Sequence, residues 1–153
     1  MPKLKIDSIP ERRGSNYPAP FDRQVGPFVR QRLGDAGGLT QFGVNRLQLP
    51  PGSWSGQRHW HSEDDEFVLV ISGELVLVTD SGEQVMRPGD CAAFPADAPN
   101  GHHLVNRSDA MAVCLEVGSR NANDAVVYPD IDLVFDPAID GYARRDGSAY
   151  PSK

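Results

Sequence analysis

From Leu39 to Gly118 every apolar run is cut short by a turn signal. Residues 40–49 stop at Pro50-Pro51-Gly52, residues 57–61 at the acidic Ser62-Glu63-Asp64-Asp65, and residues 66–71 at Ser72-Gly73. Residues 74–79 stop at Asp80-Ser81-Gly82, residues 84–87 at Pro88-Gly89-Asp90, and residues 91–94 at Pro95. Residues 102–106 and 111–117 end at Arg107-Ser108-Asp109 and at Gly118. No helical period is sustained anywhere in this span, and its prolines and glycines would break one. Short runs with regular turn signals predict an all-β sandwich or barrel.

The flanks read differently. Residues 1–38 carry Pro2, Pro10, Pro18, Pro20 and Pro27 with five glycines, and predict an irregular N-terminal arm that packs on the barrel or on a partner subunit. Tyr17, Phe21 and Phe28 are its candidate anchors. Residues 119–153 form a mixed C-terminal extension, with strands predicted at Val126–Tyr128 and residues 132–135 and a hairpin or turn at 142–150. The core, residues 39–118, is one domain, in keeping with a chain of 153 residues.

A formal charge of −6 and a pI near 5.1 argue against a nucleic-acid backbone or an anionic membrane as the main partner. No apolar run is long enough to span a bilayer, and the first residues lack the apolar stretch of a secretory signal, so a cytoplasmic location is expected. Cys91 and Cys114 lack metal-ligand spacing and are expected to be buried thiols.

All four histidines fall in two clusters, His59-Trp60-His61 and His102-His103. On a strand His59 and His61 share a face, Glu66 can return from the next strand, and His102 can close the set from a distant one. Three imidazoles and one carboxylate suit a divalent first-row metal. Glu63 also follows the histidine pair, but Ser62-Glu63-Asp64-Asp65 reads as a solvated turn. His103 alternates away from His102 and is expected to face outward or toward a neighbouring chain.

These residues resemble the two motifs of the cupin superfamily, including its mannose-6-phosphate isomerase-like and conserved-barrel members. His59-x-His61, four residues, Glu66, six residues and Gly73 fit the first motif, whose leading glycine is displaced: Ser53 stands at that spacing and Gly52 just before it. Gly82, five residues and Pro88 fit the start of the second, and His102, three residues and Asn106 fit its end. Asp97 stands where a glycine is usual. The resemblance covers roughly residues 40–118. It implies a jelly-roll β-barrel of two facing antiparallel sheets, with the glutamate strand opposite the two histidine strands. It further implies His59, His61, Glu66 and His102 as metal ligands, about two open coordination positions, and Mn²⁺ or Fe²⁺ ahead of Ni²⁺, Co²⁺ or Zn²⁺. In the family's strand order Cys91 and Cys114 flank the Glu66 strand from opposite sides, too far apart for a disulfide.

The expected function is that of a metal-dependent enzyme on a small polar organic substrate, either a sugar phosphate isomerase or an Fe-dependent dioxygenase. The alternative is a non-catalytic small-ligand-binding or sensor barrel. An isomerase needs a base beside the metal, for which Glu66 and Glu63 are the sequence candidates; Glu116 reads more safely as exposed. Arg46, Gln48 and Asn106 are the candidate substrate contacts; for Arg46 an exposed position is equally open. Arg58 and Trp60 point away from the metal face. Residues 67–71, apolar on both faces, together with the family's habit of pairing, predict a homodimer.

Overall fold

A computed structural model describes residues 3–151; residues 1–2 and 152–153, the outer ends of the predicted arm and extension, lie outside it. Thirteen strands are present among the described residues: β1 (Glu11–Arg13), β2 (Val29–Arg32), β3 (Phe42–Leu49), β4 (Trp60–His61), β5 (Glu66–Ser72), β6 (Leu75–Thr79), β7 (Gly82–Met86), β8 (Cys91–Phe94), β9 (His103–Val105), β10 (Ala112–Ser119), β11 (Val126–Tyr128), β12 (Leu133–Asp136) and β13 (Gly141–Ala143). One short helix, α1 (Leu33–Ala36), follows β2. It is far too short to cross a membrane, and no described helix is long and apolar enough to do so.

One layer is a six-stranded antiparallel sheet in the order β1-β2-β3-β10-β5-β8. The other is built from β13-β12-β11-β4 and β7-β6-β9. An isolated antiparallel bridge, His59↔His102, joins these two pieces at the point where the histidine clusters meet. The result is the expected jelly-roll barrel, with its core between the layers.

Alternation along the strands decides what faces that core. In β3, Leu47 and Leu49 are fully buried, so Asn45 and Gly43 share their inward face. Leu47 lies opposite Cys114 and Asn45 opposite Glu116, which puts Ala112, Cys114 and Glu116 on the inward face of β10. Val70 lies opposite Cys114 and Val68 opposite Glu116, so Glu66 also faces inward on β5. Leu75, Leu77 and Leu104 approach from the other layer, and each buried aliphatic side chain contributes about 1.5–3 kcal/mol. Gly73 closes the β5 to β6 turn with φ 76°, and a Cβ there would lie 2.7 Å from the Ala112 backbone. Asp97 adopts φ 53°, keeping the left-handed turn for which a glycine is usual.

The N-terminal residues contribute more than an irregular wrapping, because β1 and β2 extend the six-stranded sheet. Tyr17 and Phe28 are buried in the core and Phe21 packs against it. Two other expectations change. Cys91 is exposed rather than buried, since it sits on the outer face of edge strand β8. Cys114 is buried on the far side of β5, and both thiols are free. His103 does not face outward: it is buried edge-on beneath Trp54, with Nδ1 bonded to the Gly56 carbonyl at 3.0 Å.

Candidate metal centre and its pocket

The residues leading into β4 and β9 pair through the His59↔His102 bridge in one layer, and β5 faces them from the other, so three imidazoles converge on one carboxylate. Glu66 Oε2 lies 3.5 Å from His59 Nε2, 3.4 Å from His61 Nε2 and 2.9 Å from His102 Nε2. His59, His61 and Glu66 hold ligand atoms within 4.8 Å of one another. Two of the three rings are oriented from behind. His59 Nδ1 donates to the Gln57 carbonyl at 2.7 Å, and His61 Nδ1 donates to Asp124 Oδ2 at 2.6 Å. Each bond fixes its ring with Nε2 aimed at the Glu66 oxygen, the nitrogen a metal ion would use. The His102 ring stacks on Phe94 at 3.6 Å between centroids, and its Nδ1 is buried without a partner. This donor set fits a divalent metal.

The same groups are electrostatically coupled, and a bound divalent ion would displace the protons they share. Burial would raise the Glu66 carboxyl, but hydrogen bonds from His102, His59 and His61 hold it well below the usual carboxylate value. Burial would lower His61, but Glu66 and Asp124 raise it to about 9. Burial dominates at His102 and pushes it down.

Glu63 is exposed in the turn, where its backbone N–H donates to Asp124 Oδ1 at 2.9 Å, so Glu66 alone of the two faces the histidines. Asp124 itself carries no motif. It reaches the site because β11 of the C-terminal extension pairs with β4, Val126 opposite His61. Arg58 points outward, where it binds Asp130 at 2.6 and 2.7 Å and pairs with Asp80, pinning the extension to the barrel.

None of the three expected substrate contacts faces the pocket. Arg46 and Gln48 lie on the face of β3 opposite to Leu47 and Leu49, and Arg46 Nη1 donates to Gln31 Oε1 at 2.9 Å. Asn106 is fully buried and spends its amide internally: Nδ2 donates to the Leu49 and Ala110 carbonyls, and Oδ1 accepts from Ser108 N–H and Oγ. Its spacing in the motif reflects loop fastening, and no polar atom remains for a ligand.

Glu116 takes the opposite course, pointing inward rather than to solvent. Its side chain is 18% exposed, and Arg30 Nη2 donates to Oε2 at 3.4 Å. It lines a cavity of about 340 Å³ together with Glu66, Asn45, Arg30, Arg32 and Arg120. Burial pushes its carboxyl up from the ordinary value. Alternation in β10 divides Glu116 from Leu115 and Val117, but the apolar side of that strand was the misleading cue, since both of its faces are largely covered.

The bond from His61 to Asp124 gives a direct test. Asp124→Asn is expected to weaken metal binding by about 10–100-fold, because the ring loses its tautomer control. Competition against a chromophoric chelator measures it, and unchanged affinity would remove Asp124 from the site.

Comparison with known proteins places these features in context. The Cupin_2 profile, cupin domain, matches residues 45–118. The crystal structure of a sugar phosphate isomerase from a cupin superfamily, from Silicibacter pomeroyi, is 51% identical to this chain, covers 98% of it and 97% of that chain, and superposes with a TM-score of 0.91. A structure from Acidithiobacillus ferrooxidans, whose own assignment as a sugar phosphate isomerase is provisional, is 32% identical over 76% of this chain and 74% of that one, with a TM-score of 0.71. The polyketide cyclase RemF from Streptomyces resistomycificus shares the fold at 18% identity, covering 78% of this chain and 79% of its own, with a TM-score of 0.61. No curated protein matches the chain.

Proposed function

Because the chain belongs to the cupin superfamily, we propose that it is a metal-dependent isomerase acting on a phosphorylated sugar. The observation that carries this reading is Glu116, whose carboxylate lines one cavity with Glu66. The similarity to the Silicibacter protein points the same way. An aldose–ketose interconversion needs a proton carrier, and the half-buried Glu116 carboxylate supplies one at this position.

His59, His61, Glu66 and His102 would hold the metal, with Mn²⁺ or Fe²⁺ favoured by the mixed nitrogen and oxygen donors. When bound, it supplies a Lewis acid for the substrate oxygens. Glu116 in its ionised form accepts the proton from C2 of the aldose. The C2–H electron pair becomes the C1=C2 bond, and the carbonyl oxygen at C1 takes up a proton from water. Glu116 then returns its proton to C1 as the C2 hydroxyl proton passes back to water and C2 becomes the carbonyl. Asn45, opposite Glu116 on β3, is placed to bond a substrate hydroxyl, and Tyr128, with its ring 5.7 Å from that of His59, walls the metal side. Outside the barrel, exposed Phe42, Phe67 and Ile71 on the outer sheet face support a homodimer.

The test is turnover. Protein loaded with Mn²⁺ or Fe²⁺ is incubated in D₂O with a panel of aldose and ketose phosphates and followed by NMR. Interconversion with deuterium entering at C1 or C2 is the expected result. Saturable binding of these sugars with no exchange under either metal would overturn the isomerase reading in favour of a binding barrel.

A further inference from the structure

Three arginines share the inward face of the six-stranded sheet at its β1 edge. Arg12 lies directly opposite Arg30 across the β1–β2 pair, and Arg32 follows two residues on. Like charges in that relation repel, so the arrangement is unfavourable unless an anion lies among them. The protein supplies little of one. Arg30 reaches Glu116 at 3.4 Å, Arg32 reaches Asp35 at 3.6 Å, and Asp35 is shared with Arg120. Arg12 has no acidic partner among the described residues.

The same three side chains line a cavity of about 150 Å³ closed by the turn at residues 14–16 and by Tyr17 and Tyr142. Two buried donors in this region have no acceptor: Arg30 Nε and Ser15 Oγ. Unsatisfied buried donors are costly and rarely kept without a use. Arg30 and Arg32 also line the larger cavity that holds Glu66 and Glu116, so these two side chains border both spaces.

We propose that Arg12, Arg30 and Arg32, with the Ser15 hydroxyl, form a phosphate subsite that holds the phosphoryl end of the substrate while its reacting carbons lie against Glu66 and Glu116. This deepens the isomerase reading and rests on it for the rest of the ligand. Planar guanidinium groups offer paired donors that match phosphate oxygens, and several can share one anion. The distance between the ends also sets specificity: a phosphate fixed in the arm fixes which carbons reach the carboxylates.

Calorimetric titration of inorganic phosphate into the metal-loaded, full-length protein tests the subsite. Arg12→Met is the primary variant, because Arg12 is exposed and without an acidic partner, so folding is little affected; Arg30→Met, which keeps its apolar stem, is the second. Phosphate affinity is expected to fall about tenfold or more in each. In the isomerase assay, Arg12→Met is expected to raise KM for a phosphorylated sugar with kcat largely kept. Phosphate affinity unchanged in both variants would overturn the subsite, even where the wild-type protein isomerises sugar phosphates. Arginine-dependent phosphate binding without any isomerisation would instead uphold the subsite and remove the isomerase reading.

Discussion

Replacing His59 and His102 together with alanine is expected to empty the metal centre and lower isomerisation by about a thousandfold or more. The estimate follows from a Lewis-acid contribution of several kcal/mol at about 1.4 kcal/mol per decade of rate. The two residues meet across the bridge that joins the halves of one barrel layer, and both approach the same Glu66 oxygen. With them gone, only His61 still faces that carboxylate from among the three imidazoles. A buried carboxylate with one partner cannot hold a divalent ion tightly. Elemental analysis of wild type and variant, purified without chelators or an immobilised-metal column, gives metal content directly, and circular dichroism confirms that the variant is folded. Near-stoichiometric metal in the wild type and almost none in the folded variant is the expected pair. Equal metal in both, or full activity in the variant, would remove these histidines from the reaction.

The barrel was legible because its signals are local. Turn residues at the strand ends, and an apolar alternation at Leu47, Leu49, Val68 and Val70, report directly on conformation and burial. The clustered histidines were legible for a similar reason, since two residues apart on a strand means one face. What escaped depended on long-range pairing. Asp124 is 63 residues from His61 and meets it only because β11 docks on β4. Arg30 and Arg12 face inward only because β1 and β2 continue the sheet from a segment whose prolines and glycines read as irregular. Arg46 and Asn106 show the complementary error. An arginine in an alternating strand is equally compatible with either face, and register against Gln31 decided it. A motif asparagine suggests a ligand, but Asn106 is consumed by four hydrogen bonds within its own loop and to Leu49.

Glu116→Gln should separate chemistry from binding more cleanly than any change among the histidines. The substitution keeps the shape of the side chain and an oxygen for Arg30, but removes the carboxylate proposed to carry the proton. Loss of a positioned general base typically costs about 10²–10⁴-fold in kcat. KM and metal content should change little, because Glu116 is not among the groups converging on the metal position. The pH profile gives a second readout. Burial raises the Glu116 carboxyl above its ordinary value of 4.5, with Arg30 opposing that shift. Since the base acts when ionised, wild-type kcat is expected to fall with acidification through a midpoint above 4.5, and this limb should vanish in the variant. Stability responds in the opposite direction. A carboxyl whose folded pKa is raised favours the folded state in its neutral form, and that advantage fades as pH rises through the folded value. A neutral glutamine escapes the loss, so the variant should melt at neutral pH no lower than the wild type. A folded Glu116→Gln protein with wild-type kcat would show that the proton moves through another group. A collapse in melting temperature with activity lost in proportion would reduce Glu116 to a structural partner of Arg30.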